Sequence, residues 1–142
     1  MFGKLFGKAK ANVNAFTKRD LFEAAVAAGV LVAYADGDCS DNEIDTLENL
    51  LQNNPALANF KSEISKQIGN YCNQMEASAR MGKRNLMKEI KDCEHNHEEA
   101  ETILIVALDV ADADDDTSAD DAEGKVLKAI ADELGLKVSD YE

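Results

Sequence analysis

Eight of the fifteen residues from Asp109 to Glu123 are acidic and none is basic. Side chains carrying oxygen fall at Asp112, Asp114, Asp116, Ser118, Asp120 and Glu123. That spacing matches positions 1, 3, 5, 7, 9 and 12 of a calcium loop of the EF-hand kind, which ends in a glutamate able to give both oxygens to one ion. Thr117 stands at the sixth position, where glycine is usual because the backbone there wants a positive φ. Two closures stay open, that of an EF-hand and one of the loop's own geometry. An earlier turn, "DGDCSDNE", repeats half of the pattern. Asp36, Gly37, Asp38, Ser40 and Glu43 fall at positions 5, 6, 7, 9 and 12, while Val32 and Tyr34 offer only backbone oxygen at 1 and 3.

The chemistry of both turns is that of hard-cation binding, with Asp36, Asp38, Ser40, Glu43, Asp112, Asp114, Asp116, Asp120 and Glu123 as candidate ligands. Calcium suits a flexible acidic turn best, with magnesium and manganese as further candidates. A plainer account exists for some of these acids. A carboxylate near a helix N-terminus is favourable by roughly 0.3–1 kcal/mol without any metal. That covers Asp41, Glu43, Asp121 and Glu123, but not the density of charge in the second turn.

Other chemistry is sparse. "CEHNH" sets Cys93, His95 and His97 close together, soft-metal ligand types too few for a site of their own. Cys39 lies inside the first turn, where neighbouring acids raise a thiol's pKa, and reads as a small residue packed under the turn. Three cysteines at unrelated spacings read as reduced thiols in a cytosolic protein. There is no glycine-rich phosphate loop and no nucleophile–base motif, so no enzyme is expected.

The elements that must position the turns are helical. Of 142 residues 45% are apolar and one is proline, and strand-like alternation is hard to find. "DLFEAAVAAGVLVAYAD" and "AETILIVALDVA" are apolar almost all round, the mark of central buried helices. Each runs into an acidic turn and then an amphipathic helix with a capping pattern, Ser40 with Glu43 and Asp120 with Glu123. Asn54 with Pro55 opens a long helix carrying Phe60, Ile64, Ile68, Tyr71 and Met75. Gly82 reads as a break before a short basic helix, and Gly135 as a C-cap. At an offset of 80, Asp36, Glu43, Leu47 and Leu50 meet Asp116, Glu123, Leu127 and Ile130. The expected fold is all-α: a single helical domain of about seven helices built from two facing helix-loop-helix repeats. The repeats span about 20–79 and 80–142 within a domain at 18–142, preceded by a basic amphipathic segment at 1–17.

Net charge is -13, from 15 basic and 28 acidic residues, which argues against nucleic acid and for cations or basic partners. Residues 1–19 hold five of the bases and no acid. Phe2, Leu5, Phe6, Ala9, Val13 and Phe16 recur there at helical spacing beside lysines, so residues 2–16 are a candidate for peripheral contact with an anionic membrane. A flap packed on the domain's own groove is the competing reading. No apolar run is long enough to span a bilayer, and the start lacks the features of a secretory signal.

"YADGDCSDNEIDTLENLL", followed downstream by "VADADDDTSADDAEGKVLKAIADELG", resembles the tellurite-resistance protein B (TerB) family. In that family a buried helix enters an A-x-D-G-x-x-S-x-x-E turn and a capped helix, and the unit recurs. The resemblance implies an all-helical fold of two facing repeats that binds calcium through acidic turns. It implies a cytoplasmic stress-response protein tied to tellurite, phage and colicin resistance, joining other Ter proteins in complexes at the inner face of the membrane. Carried over by position, Asp36 and Glu43 are ligands of the first site. The second Asp-Gly falls at Asp114-Asp115 or at Asp116-Thr117, and neither register has the glycine. The function expected is a calcium-responsive, membrane-associated interaction module. The alternative is a metal-independent acidic helical adaptor that docks basic proteins.

Overall fold

Every residue from Leu21 to Ala33 except Glu23 is buried, so this stretch must be surrounded by the rest of the chain. The computed structural model describes residues 2–37, 39–113 and 120–142, and the side chains of 18–37, 39–113 and 122–142. The apolar stretch forms the C-terminal half of α1, Phe2–Ala33. The basic segment and the buried helix, two units by sequence pattern, are one helix here, as no proline or cap interrupts them.

The remaining elements are α2 (Asp41–Asn53), a 3-10 stretch (Pro55–Glu63), α3 (Ile64–Ala77), α4 (Ala79–Lys91), α5 (His97–Asp112), α6 (Asp120–Leu134) and a terminal 3-10 turn (Val138–Asp140). Among the described residues there are six α-helices and no strand, against the seven or so helices expected. α5 is the principal neighbour of α1. α2 packs on both α1 and α5, and α6 does the same. The two helix-loop-helix units thus face each other through α1 and α5.

The caps follow local chemistry. Ser40 Oγ accepts from Glu43 N at 3.4 Å. Asn54 Oδ1 accepts from Ala56 N at 2.9 Å, with Pro55 as the first residue of its stretch. Asn96 Oδ1 accepts from Glu99 N at 3.1 Å. Gly135, at φ 72°, ends α6: Leu136 N donates to Ala131 O at 2.8 Å and Gly135 N to Asp132 O at 3.2 Å, a Schellman closure.

Two expectations are corrected. The long helix opening at Pro55 is a 3-10 stretch as far as Glu63. Leu57 and Phe60, three apart and both buried, share one face in that tighter winding. Phe60 stacks on Phe22 of α1 with centroids 4.9 Å apart, and the Arg19 guanidinium lies 5.2 Å above the Phe60 ring. Arg19 also forks the Glu63 carboxylate at 3.0 and 3.1 Å, closing the stretch onto α1. Gly82 is not a break. The chain breaks at Ser78, whose Oγ caps α4 by accepting from Met81 N at 3.2 Å. Gly82 lies within α4 because α3 passes close by: a Cβ there would meet Met75 Cα at 2.9 Å and Gln74 O at 3.0 Å. A similar notch lies on α1, where the side chain of Leu47 from α2 occupies the space a Cβ on Gly29 would need.

Candidate metal centre

The first acidic turn begins where α1 tightens. Ala35 N donates to Val32 O at 3.1 Å and Gly37 N to Tyr34 O at 3.0 Å. Gly37 then takes φ 91°, a conformation that L side chains rarely adopt. Asp36 and Cys39 are exposed, Ser40 is half-buried, and Glu43, third residue of α2, is only 1% exposed. Its Oε2 is closed off from solvent. The turn thus hands the chain from a buried helix to a capped one, with a carboxylate carried inside at the start of the second.

The second unit has the same plan where it is described. Asp112 is exposed at the end of α5, and Glu123, in the first turn of α6, is 9% exposed. Glu43 and Glu123 are the buried charged side chains among the described residues. Asp38, Asp114, Asp116, Thr117 and Ser118 lie outside the described residues, as does the side chain of Asp120. Among the described residues no group of three or more His, Cys, Asp and Glu side chains converges as a metal site would. What is described fits a hard cation in kind: oxygen donors, a glycine at positive φ, and a buried carboxylate at a helix N-terminus, where the helix dipole favours negative charge.

Beside the first turn lies a group the sequence did not announce. The Tyr34 hydroxyl donates to Glu76 Oε1 of α3 at 3.0 Å. Cys39, in the turn, and Cys72, on α3, lie near Tyr34 and near each other. Cys39 is exposed as a residue, and partial desolvation of its sulfur, more than the nearby charges, pushes the thiol up to about 11; burial raises Cys72 as well. Burial, and then the bond to Glu76, hold the Tyr34 hydroxyl far above its ordinary range. A second unannounced contact pairs Glu89 of α4 with Glu23 of α1. Burial and then the hydrogen bond to Glu23 raise Glu89 to about 7. The signal for both groups is tertiary.

"CEHNH" does not converge. Cys93 is buried, and burial followed by the charges of Glu99, Asp20 and Asp92 pushes its thiol up to about 12. His95 and His97 face solvent and approach different carboxylates, Glu94 and Glu101, each at 3.3 Å.

Two helix-loop-helix units, each with a buried glutamate in the first turn of its second helix, make up an all-helical domain. The family model described as tellurite resistance protein TerB matches residues 22–142. The chain belongs to the TerB family, and the match takes in both acidic turns. No curated protein and no solved structure matches it. Among the described residues no helix is long and apolar enough to cross a membrane.

Proposed function

We propose that this tellurite-resistance domain is a calcium-responsive interaction module without catalytic activity. The observation that carries this reading is the placement of Glu43 and Glu123, buried at the start of equivalent helices directly after acidic turns. Burying a carboxylate is costly unless opposite charge or hydrogen bonds compensate. A helix N-terminus compensates in part. When bound, a divalent ion would add positive charge beside these carboxylates. Asp36, Asp38, Ser40 and Glu43 would hold it in the first turn, and Asp112, Asp114, Asp116, Asp120 and Glu123 in the second. Magnesium and manganese compete for the same oxygen donors, and calcium tolerates an irregular turn best.

In this reading the turns are most repulsive without the ion, and charge cancellation changes the face offered to other Ter proteins. The basic segment at residues 2–16 supplies a contact with anionic lipid at the inner face of the membrane. Thermal melting at low ionic strength tests the core of it, with chelated protein compared against millimolar calcium, magnesium and manganese. Ligand binding to the folded state raises the melting temperature. No rise with any of the three rejects ion binding and leaves the acidic adaptor for basic partners.

A further inference from the structure

Among the described residues, the large apolar side chains left exposed are Met81 on α4 and Ile105 on α5, at 53% and 45%. A lone exposed hydrophobic residue is ordinary on a protein surface. These two stand out by what surrounds them. α4 carries five bases and one acid, and α5 carries five acids and neither lysine nor arginine. Met81, Arg84, Lys88 and Lys91 are exposed and fall three or four residues apart, so they form one stripe along α4. Glu98, Glu101, Ile105, Asp109 and Asp112 form a stripe of the same spacing along α5, with Glu101 half-buried and the others exposed. Among the described residues no salt bridge engages the bases of α4, nor Glu98, Asp109 or Asp112. The stripes are separate surfaces, since α4 packs on α1, α3 and α6 while α5 packs on α1, α2 and α6.

We propose that the α4 stripe of one copy of this chain docks on the α5 stripe of a second copy, with Met81 against Ile105. An apolar centre with opposite charges on its flanks gives such a contact both its adhesion and its register. Arg84 and Lys88 lie within two turns of Met81, and acids stand on both sides of Ile105, so the charges match whichever way the two helices run. A copy docked through α4 keeps its α5 stripe open, so the contact is heterologous and able to add a third copy. The net charge of -13 holds copies apart at long range. In about 0.1 M salt that repulsion is screened beyond about 10 Å, while the stripes attract inside that distance. The contact does not depend on ion binding by the turns.

Sedimentation equilibrium of the full chain, in chelator and over a series of protein concentrations, tests this. The wild-type mass should rise with concentration in about 0.1 M salt and fall back to that of one copy in about 1 M salt, where screening reaches contact distances. Met81→Gln with Arg84→Gln, and Ile105→Gln with Asp109→Asn, should each hold the chain at the mass of one copy. All four side chains are exposed, so the fold should not suffer. Mixed together, the two double variants should form a one-to-one complex and nothing larger, because each supplies the stripe that the other lacks. A wild-type mass that does not rise overturns the proposal. So does association that persists in the α4 variant, as contact through residues 2–16 would give, or a mixture of the two variants that stays at the mass of one copy.

Discussion

Glu43 and Glu123 stand 80 residues apart and take the same place in the two halves of the fold, each in the first turn of a helix that follows an acidic turn. If the turns bind calcium, Glu43→Gln and Glu123→Gln should each remove part of the calcium-dependent rise in melting temperature, and the double variant nearly all of it. Comparing each variant with the wild type in chelator separates a lost calcium response from a change in the stability of the folded chain itself. Differential scanning calorimetry with and without chelator reads both effects. A full calcium response in both single variants means that the ligands lie elsewhere.

Gly82 and Gly124 should respond to the same substitution with opposite sign. Gly82→Ala drives a methyl against the backbone of α3, which cannot give as a side-chain tip can. A loss of about 1–3 kcal/mol in urea denaturation is expected. Gly124 lies in α6, and a Cβ added there would have nothing within 4 Å, so Gly124→Ala should gain about 0.5–1 kcal/mol from helix propensity alone.

The pair Glu23–Glu89 makes stability depend on pH. Glu89 rises to about 7 through burial, its bond to Glu23 and the charges of Glu23, Asp92 and Asp20. Arg19 lies 3.7 Å from Glu23. The folded chain therefore holds this proton more tightly than the unfolded chain does. The stabilisation it gives is present in full below the ordinary carboxylate range and is lost as pH rises through about 7. Glu89→Gln should flatten the fall in melting temperature between pH 5 and 8. An unchanged slope places the titration on other groups.

Liposome flotation tests the basic segment. Full-length protein should float with vesicles containing anionic lipid and lose most of that binding at high salt, whereas protein lacking residues 1–17 should stay in solution. Equal flotation of the two forms rejects the membrane role of this segment.

What could be read in the sequence was what local chemistry decides. Ser40, Asn54 with Pro55, and Gly135 signal helix ends through their own hydrogen bonding and backbone preferences, and each cap lies where its residue type puts it. The two apolar stretches showed where the centre of the fold would be. Gly82 misled because a glycine that breaks a helix and one that admits a neighbour look alike in sequence. Ser78 carries no capping-box signal, because Met81 and not glutamate stands three residues on. The acidic turns were legible as oxygen-rich spacing. The depth of Glu43 was not, since capping alone would leave a carboxylate in water. The bond of Tyr34 to Glu76, and the nearness of Glu23 to Glu89, depend on how α3 and α4 settle on α1.

The notch at Gly29 has a mechanical meaning. Leu47, midway along α2, seats there like a knob in a socket. The missing Cβ sets how closely the two helices approach and where along each they meet. A larger residue at position 29 would wedge α2 away from α1 and draw Glu43, on the same helix, out of its buried place.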